Sequence, residues 1–186
     1  MNSAPENSLC LVVMGVSGCG KSTVAEALAA RLQGQFMDGD DFHPPENVER
    51  MSEGVPLTDE DRLPWLAAIN HAVRQPNTDK VVKVVACSAL KRMYRDVLSE
   101  STPVLFVHLA GDFDLIEARS KARKDHFMDV GLLQSQFDTL ETPSNTESAV
   151  TVSIDAPIEE VIDNAMMSVQ RSSMYIAFQQ QIAGAQ

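Results

Sequence analysis

Apolar residues along the chain fall into two kinds of stretch that take turns: short unbroken runs, and longer segments where they recur every three or four positions. The runs are Leu9-Cys10-Leu11-Val12-Val13-Met14, the brief Gln35-Phe36-Met37, Lys80 to Cys87, Val104 to Leu109, and Val150 to Ile154. Runs of this length without polar alternation predict strands covered on both faces, as in a parallel sheet. Between them, Ala25, Leu28, Ala29 and Leu32 recur at helical spacing. So do Leu66, Ile69 and Val73, and then Leu132, Leu133, Phe137 and Leu140. Five strands alternating with helices predict an α/β fold, a three-layer, doubly wound, parallel five-stranded sheet. The pattern leaves the order of the strands open.

Capping residues refine the boundaries. Ser88 is the expected N-cap of a helix from Ala89 to Ser99, Asp112 of the helix after the fourth strand, and Pro157 opens a last helix running to about Gln181. Thr58 and Asp61 have capping-box spacing, but a cap at Thr58 would leave Pro64 well inside the helix. A cap at Asp61 is therefore expected, with Pro64 in the first turn, where its missing N–H costs nothing. From Pro44 to Pro56 the chain is polar and broken, and no element is expected there.

The first strand runs directly into Gly15-Val16-Ser17-Gly18-Cys19-Gly20-Lys21-Ser22-Thr23, which fits G-x-x-x-x-G-K-[ST] in full, with a helix behind it. Its glycines let the chain curl with N–H groups pointing inward, and the helix start adds the positive end of its dipole, so the loop suits a polyphosphate. Lys21 is expected to neutralise the β and γ phosphates and Ser22 to place its hydroxyl on Mg²⁺. ATP and Mg²⁺ are thus the expected cofactors. Cys19, at a helix start, is expected to form a thiolate that ATP shields from alkylation.

After the second strand, Asp38 and Asp40 stand two apart, so at a strand end both can face the crevice beyond the carboxyl ends of the sheet. A carboxylate there can hold Mg²⁺ or orient a substrate hydroxyl. The third strand ends in Cys87-Ser88 with no acid, which leaves Asp38 as the candidate for the metal. Lys91 and Arg95 share a helix face that is either solvated or an anion clamp, and Arg62 at a helix start is either a surface residue or a ligand contact. Arg119 and Arg123, four apart, repel unless an anion lies between them; a lid over about 119–131 would bring them onto the transferring phosphate.

Composition narrows the partners. With 186 residues and 44% hydrophobic content, a single domain over 1–186 is expected, residues 1–7 forming a disordered tail. A net charge of −11 argues against nucleic acid, yet eight of the fifteen Lys and Arg gather at Lys21, Lys91–Arg95 and Arg119–Lys124, as handling a small anion requires. No run approaches a membrane span and the first residues lack a signal-peptide pattern, so a cytoplasmic location is expected. Cys10, Cys19 and Cys87 have no metal-ligand spacing, and neither disulfides nor structural zinc are expected.

Taken in order, the chain resembles the gluconate kinases of the phosphate-loop class, related in fold to shikimate and adenylate kinases. The resemblance rests on the phosphate loop, Asp38-Gly39-Asp40-Asp41-Phe42-His43-Pro44, Pro56-Leu57-Thr58-Asp59 with Asp61-Arg62 and Pro64-Trp65-Leu66, Cys87-Ser88-Ala89-Leu90-Lys91 with Tyr94-Arg95-Asp96, and His126-Phe127-Met128 with Ser135-Gln136-Phe137. It spans Leu11 to Pro157. Arg50 departs from it, standing where a lysine is expected, and so does the long tail beyond Gln170. The resemblance implies ATP-dependent phosphorylation of D-gluconate at its 6-hydroxyl, with Asp38 serving Mg²⁺, Asp40 the sugar hydroxyl, and Lys21 and Arg123 the transferring group. Arg119 and Arg123 would be lid residues. His43, Arg62, Lys91, Arg95, His126 and Gln136 would line the sugar-acid pocket, the two histidines being equally readable as structural. A homodimer is the candidate assembly. A kinase for another small hydroxy acid, such as shikimate, and an ATP sensor without turnover remain the competing readings.

Overall fold

The computed structural model describes residues 8–75, 82–100, 102–122 and 130–184. The expected N-terminal tail, Arg123, His126 and most of the expected lid lie outside the described residues. The elements in order are β1 (Leu9–Met14), α1 (Lys21–Arg31), β2 (Gln35–Asp38), a 3-10 turn (Gly39–Phe42), α2 (Pro45–Ser52), α3 (Asp59–Arg74), β3 (Val82–Ala86), α4 (Arg92–Ser99), β4 (Val104–Ala110), α5 (Phe113–Ala122), α6 (Val130–Thr139), β5 (Ala149–Ser153), α7 (Ile158–Arg171) and α8 (Ser173–Gly184). All strand pairs are parallel and the order across the sheet is β2-β3-β1-β4-β5.

Strand alternation builds the three layers. Leu9, Leu11 and Val13 point to one face of the sheet, where they meet Val24, Ala25 and Leu28 of α1 and Val161, Ala165 and Val169 of α7. Cys10, Val12 and Met14 point to the other, against Trp65, Leu66 and Ile69 of α3 and Tyr94 and Leu98 of α4. Every β1 side chain is buried, which explains the missing polar alternation. Each such Leu or Val contributes about 1.5–3 kcal/mol relative to exposure. Lys83, the lysine within β3, turns its ammonium to the end of α3 and donates to the Ala72, Val73 and Gln75 carbonyls at 3.0, 2.8 and 2.5 Å. It thereby satisfies carbonyls that a helix C-terminus leaves without partners.

Four local expectations are corrected. Thr58, not Asp61, caps α3: its hydroxyl accepts from the Asp61 N–H at 3.2 Å, and the Asp61 carboxylate accepts from the Thr58 N–H at 2.8 Å. Pro64 sits inside the helix, where it removes one bond while the capping box adds two on exposed backbone. The helix after β3 begins at Arg92, because Ala89 adopts a positive φ of 44° and keeps residues 88–91 in a loop. The segment after Pro44 forms α2, opened by Pro45 at a position where its missing N–H is harmless. Last, the final helix breaks at Ser172, whose hydroxyl donates to the Val169 carbonyl and accepts from the Tyr175 N–H. The cap at Asp112 is as expected, its carboxylate accepting from the Leu115 N–H at 2.8 Å.

Candidate active site

The phosphate loop lies between β1 and α1 at the carboxyl edge of the central strand. Gly15, Gly18 and Gly20 have φ of 142°, 83° and 97°, a left-handed region that other residues enter only with strain. Gly18 must also be small: a Cβ there would lie 2.8 Å from Ser120 Oγ and 3.3 Å from Ile116 Cγ2 of α5. No side chain caps α1, so no side chain takes up its first N–H groups, and no acid lies in its first turn to oppose an anion. Lys21 Nζ donates to the Val16 carbonyl at 3.0 Å, which tethers the cation across the loop. Ser22 and Thr23 are exposed, whereas Cys19 is 2% exposed and packs in the core. The expectation of an alkylatable thiolate at Cys19 is therefore corrected: the side chain points inward, and only its backbone can meet a ligand.

Beside the loop, β3 separates β1 from β2, and Asp38 closes β2 in register with Ala86. Asp38 and Asp40 do come to one edge, though not by strand alternation. Asp38 caps the 3-10 turn, its Oδ1 accepting from the Asp40 N–H at 3.0 Å, and Asp40 rides on the turn with its side chain 88% exposed. Gly39 is required because a Cβ would sit 2.5 Å from the Ala86 carbonyl oxygen. Lys21, Asp40 and Asp38 all act electrostatically on the Cys87 thiol at the end of β3, whose burial pushes its pKa up to about 12. The loop lysine and both carboxylates thus lie within electrostatic reach of one point of the sheet edge.

From Asp40 the site continues through His43. Its ring stacks on Trp65, centroids 4.1 Å apart, while Trp65 Nε1 donates to the Gly39 carbonyl at 2.7 Å. Asn47 Nδ2 approaches His43 Nδ1 at 3.4 Å and donates to the Asp61 carbonyl at 2.8 Å. Nδ1 is then the acceptor and the proton lies on Nε2, which faces Asp40 Oδ1 at 3.9 Å. Burial lowers the His43 pKa; Asp40 opposes that shift and Arg62 reinforces it.

Arg62 leads to a compact charged cluster. Its guanidinium lies 5.5 Å from the Tyr94 ring centre and Lys91 Nζ lies 5.7 Å from it. Lys91 also donates to both Asp59 oxygens at 2.8 Å, and the Tyr94 hydroxyl bonds to Asp59. The bond to Lys91, then that to Tyr94, holds Asp59 below the ordinary carboxylate pKa, and Asp59 raises that of Lys91 in return. Asp59, Tyr94, Trp65 and Asn47 were not picked out as site residues from the sequence. The capping box at Thr58 was the available signal, since a helix starting there puts Asp59 three residues before Arg62, on the same side.

Other expected site residues have partners within the protein. Arg95 is not an anion clamp: its side chain is 1% exposed, its Nε and Nη2 bond Glu147 at 2.5 and 3.1 Å, and its Nη1 donates to the Ala89 and Leu90 carbonyls. Arg119 Nη2 donates to the Ile154 and Ala156 carbonyls at 2.6 and 3.0 Å, tying α5 to the loop after β5. Gln136 Oε1 accepts from the Ser17 N–H at 2.6 Å. All three cysteines are buried, and none of them forms a disulfide. Among the described residues no helix is long and apolar enough to cross a membrane.

Comparison with known proteins bears on this arrangement. The family model for shikimate kinase matches residues 17–142. The chain is 47% identical over 162 residues to the thermoresistant gluconokinase of Escherichia coli K12, covering 86% of this chain and 93% of that protein. It is also 47% identical to the gluconokinase of Gluconobacter oxydans 621H, over 82% of this chain and 88% of the relative. The crystal structure of a gluconokinase from Sinorhizobium meliloti 1021 superposes with a TM-score of 0.84 at 44% identity, covering 94% and 99% of the two chains. A phosphate loop, two carboxylates at and just beyond the end of β2 and this degree of likeness over most of the chain lead to one assignment: the chain belongs to the gluconokinases, within the phosphate-loop kinases of shikimate kinase type.

Proposed function

We propose that the protein transfers the γ-phosphoryl group of ATP to the 6-hydroxyl of D-gluconate, giving 6-phosphogluconate and ADP. The observation that carries the reading is a phosphate loop spanned by Lys21, with Asp38 closing β2 and Asp40 held on the turn that Asp38 caps, in a gluconokinase-like chain. Phosphoryl transfer asks little covalent chemistry of a protein and much positioning of charge. Loop amides and the α1 N-terminus receive the triphosphate, and Lys21 exchanges the Val16 carbonyl for phosphate oxygens as negative charge builds on them. Asp40, exposed and aimed by its turn, accepts the hydrogen bond of the acceptor hydroxyl and takes up its proton as the oxygen attacks.

The remainder of the acceptor fits the neighbouring groups. Arg62 and Lys91 oppose the gluconate carboxylate, while neutral His43 and Asp59 bond its hydroxyls. Arg119 and Arg123 remain the proposed lid cations. Ser22 and Asp38 fit a magnesium ion, since the hydroxyl is exposed and Asp38 keeps one carboxylate oxygen free of the Asp40 N–H. Among the described residues no cluster of three acidic, His or Cys side chains forms a cage, which suits an ion that takes most of its ligands from phosphate and water. When bound it supplies charge neutralisation at the phosphates. The test incubates protein, ATP and Mg²⁺ with a panel of sugar acids and shikimate, following ADP and assigning the product by mass and position. ADP formed with gluconate and phosphate on its 6-oxygen supports the reading; ADP formed only with another acid, or with none, overturns it.

A further inference from the structure

Gln136 belongs to α6, 119 residues from the loop it touches. Its side-chain carbonyl accepts from the Ser17 N–H at 2.6 Å, and Ser17 lies between Gly15 and Gly18, within the turn that must cradle phosphate. The contact is supported from behind. Leu133, one turn earlier on α6, is 1% exposed in the core beneath the loop, and Phe137 packs against Phe113 of α5 with centroids 5.6 Å apart. Beyond the helix, the Glu141 N–H donates to the Leu90 carbonyl at 2.9 Å, and its carboxylate accepts from the Arg92 N–H at 2.6 Å. One helix and its exit thus fasten the phosphate loop at Ser17 and the chain on both sides of Lys91.

We infer that Gln136 is a positioning residue of the phosphate loop and not a ligand of the sugar acid. Its carbonyl is a neutral acceptor of the right length. It holds the Ser17 amide, and with it the curl of the loop, before nucleotide arrives, without placing a negative charge beside the phosphates. An acid at the same position would accept the same bond but repel the triphosphate. A loop already curled binds nucleotide without first having to be ordered, so the contact acts on ATP affinity and leaves the acceptor's untouched.

The inference rests on the loop being the nucleotide site, as proposed above, and its test measures nucleotide binding directly, apart from turnover. ATP binding to wild-type protein, Gln136→Met and Gln136→Glu is measured by calorimetry without acceptor, beside thermal melts and the KM for gluconate. Methionine keeps the length and loses the acceptor, so ATP affinity falls about three- to tenfold. Glutamate keeps the acceptor and adds the charge, so affinity falls about tenfold or more. The gluconate KM stays within about twofold in both, as expected for a group acting only on the loop. ATP affinity within twofold of wild type in the methionine variant, or a gluconate KM that rises while ATP affinity holds, overturns the inference. Should either variant fail to fold, hydrogen exchange decides on the wild type: slow exchange of the Ser17 amide without nucleotide supports the contact, and exchange at the unprotected rate refutes it. If wild-type protein binds ATP yet phosphorylates no gluconate, the proposed activity fails and the binding comparison still stands.

Discussion

Replacing Glu147 by glutamine separates a structural from a substrate-binding role for Arg95. The pair is bidentate, with side chains 1% and 8% exposed. The Arg95 guanidinium, aided by the Ser144 N–H, pulls the Glu147 pKa from 4.5 to about 2. A carboxylate with a depressed folded-state pKa stabilises the protein above its unfolded pKa and loses that contribution as pH falls toward the folded one. Here the window runs from about 4.5 down to about 2, and the shift corresponds to about 3 kcal/mol at neutral pH. Stranding one member of a buried pair costs about 3–5 kcal/mol on independent grounds, so the two routes agree. Glu147→Gln should therefore lower stability at pH 7 by about 3 kcal/mol, or about 6–12 °C in Tm for a chain of this size. Urea unfolding at pH 7 and at steps down to pH 3.5 measures both the loss and a shallower acid slope. The folded variant should keep its gluconate KM within about twofold. A loss under about 1 kcal/mol, with the wild-type acid slope retained, refutes the account of the pair. A raised gluconate KM with unchanged stability would return Arg95 to the pocket.

Three further outcomes follow from the site. Lys21→Met should reduce kcat/KM by about a hundredfold or more, because the cation is proposed to act on charge developing in transfer, while Tm changes little since its one hydrogen-bond partner among the described residues is the Val16 carbonyl; steady-state rates beside thermal melts check this, and matching losses of activity and folded protein contradict it. Asp40→Asn should leave ATP affinity intact and lower acceptor-dependent ADP formation by about a hundredfold or more, measured by calorimetry and a coupled assay; normal turnover removes Asp40 from its role. Burial depresses the pKa of His43 and of His108 below 6.5, so both favour the neutral form in the folded state. Their contribution is present above pH 6.5 and lost as pH falls below it, so Tm should drop between pH 7.5 and 5.5, less steeply in His43→Gln; a flat wild-type profile over that interval speaks against it.

What could be read in the sequence depended on how far apart the interacting residues stand. Strand β1, the loop and α1 are contiguous, so an apolar run, glycines at fixed offsets and a helical repeat together specified a phosphate cradle. The convergence of Asp38 and Asp40 was also anticipated, but by the wrong device: the strand ends at Asp38, and a 3-10 turn capped by that residue presents Asp40. At Thr58 two local rules competed, and a penalty assigned to Pro64 outweighed a capping box that the fold in fact forms. Spacing alone could not say which of two small local terms prevails. The basic residues show the limit most clearly. Lys91 and Arg95 share a helix face by spacing, yet one meets Asp59, 32 residues away, beside Tyr94 and Arg62, and the other is consumed by Glu147, 52 residues away. A cation's role is set by which acid the fold brings to it, so a helical face of positive charge is evidence for an anion site only after its internal partners are counted. By that measure Arg62, lying over the Tyr94 ring and bonded only to its hydroxyl among the described residues, keeps the charge that the proposed function asks of it, and Lys91 fills its proposed role only as the acceptor competes with Asp59.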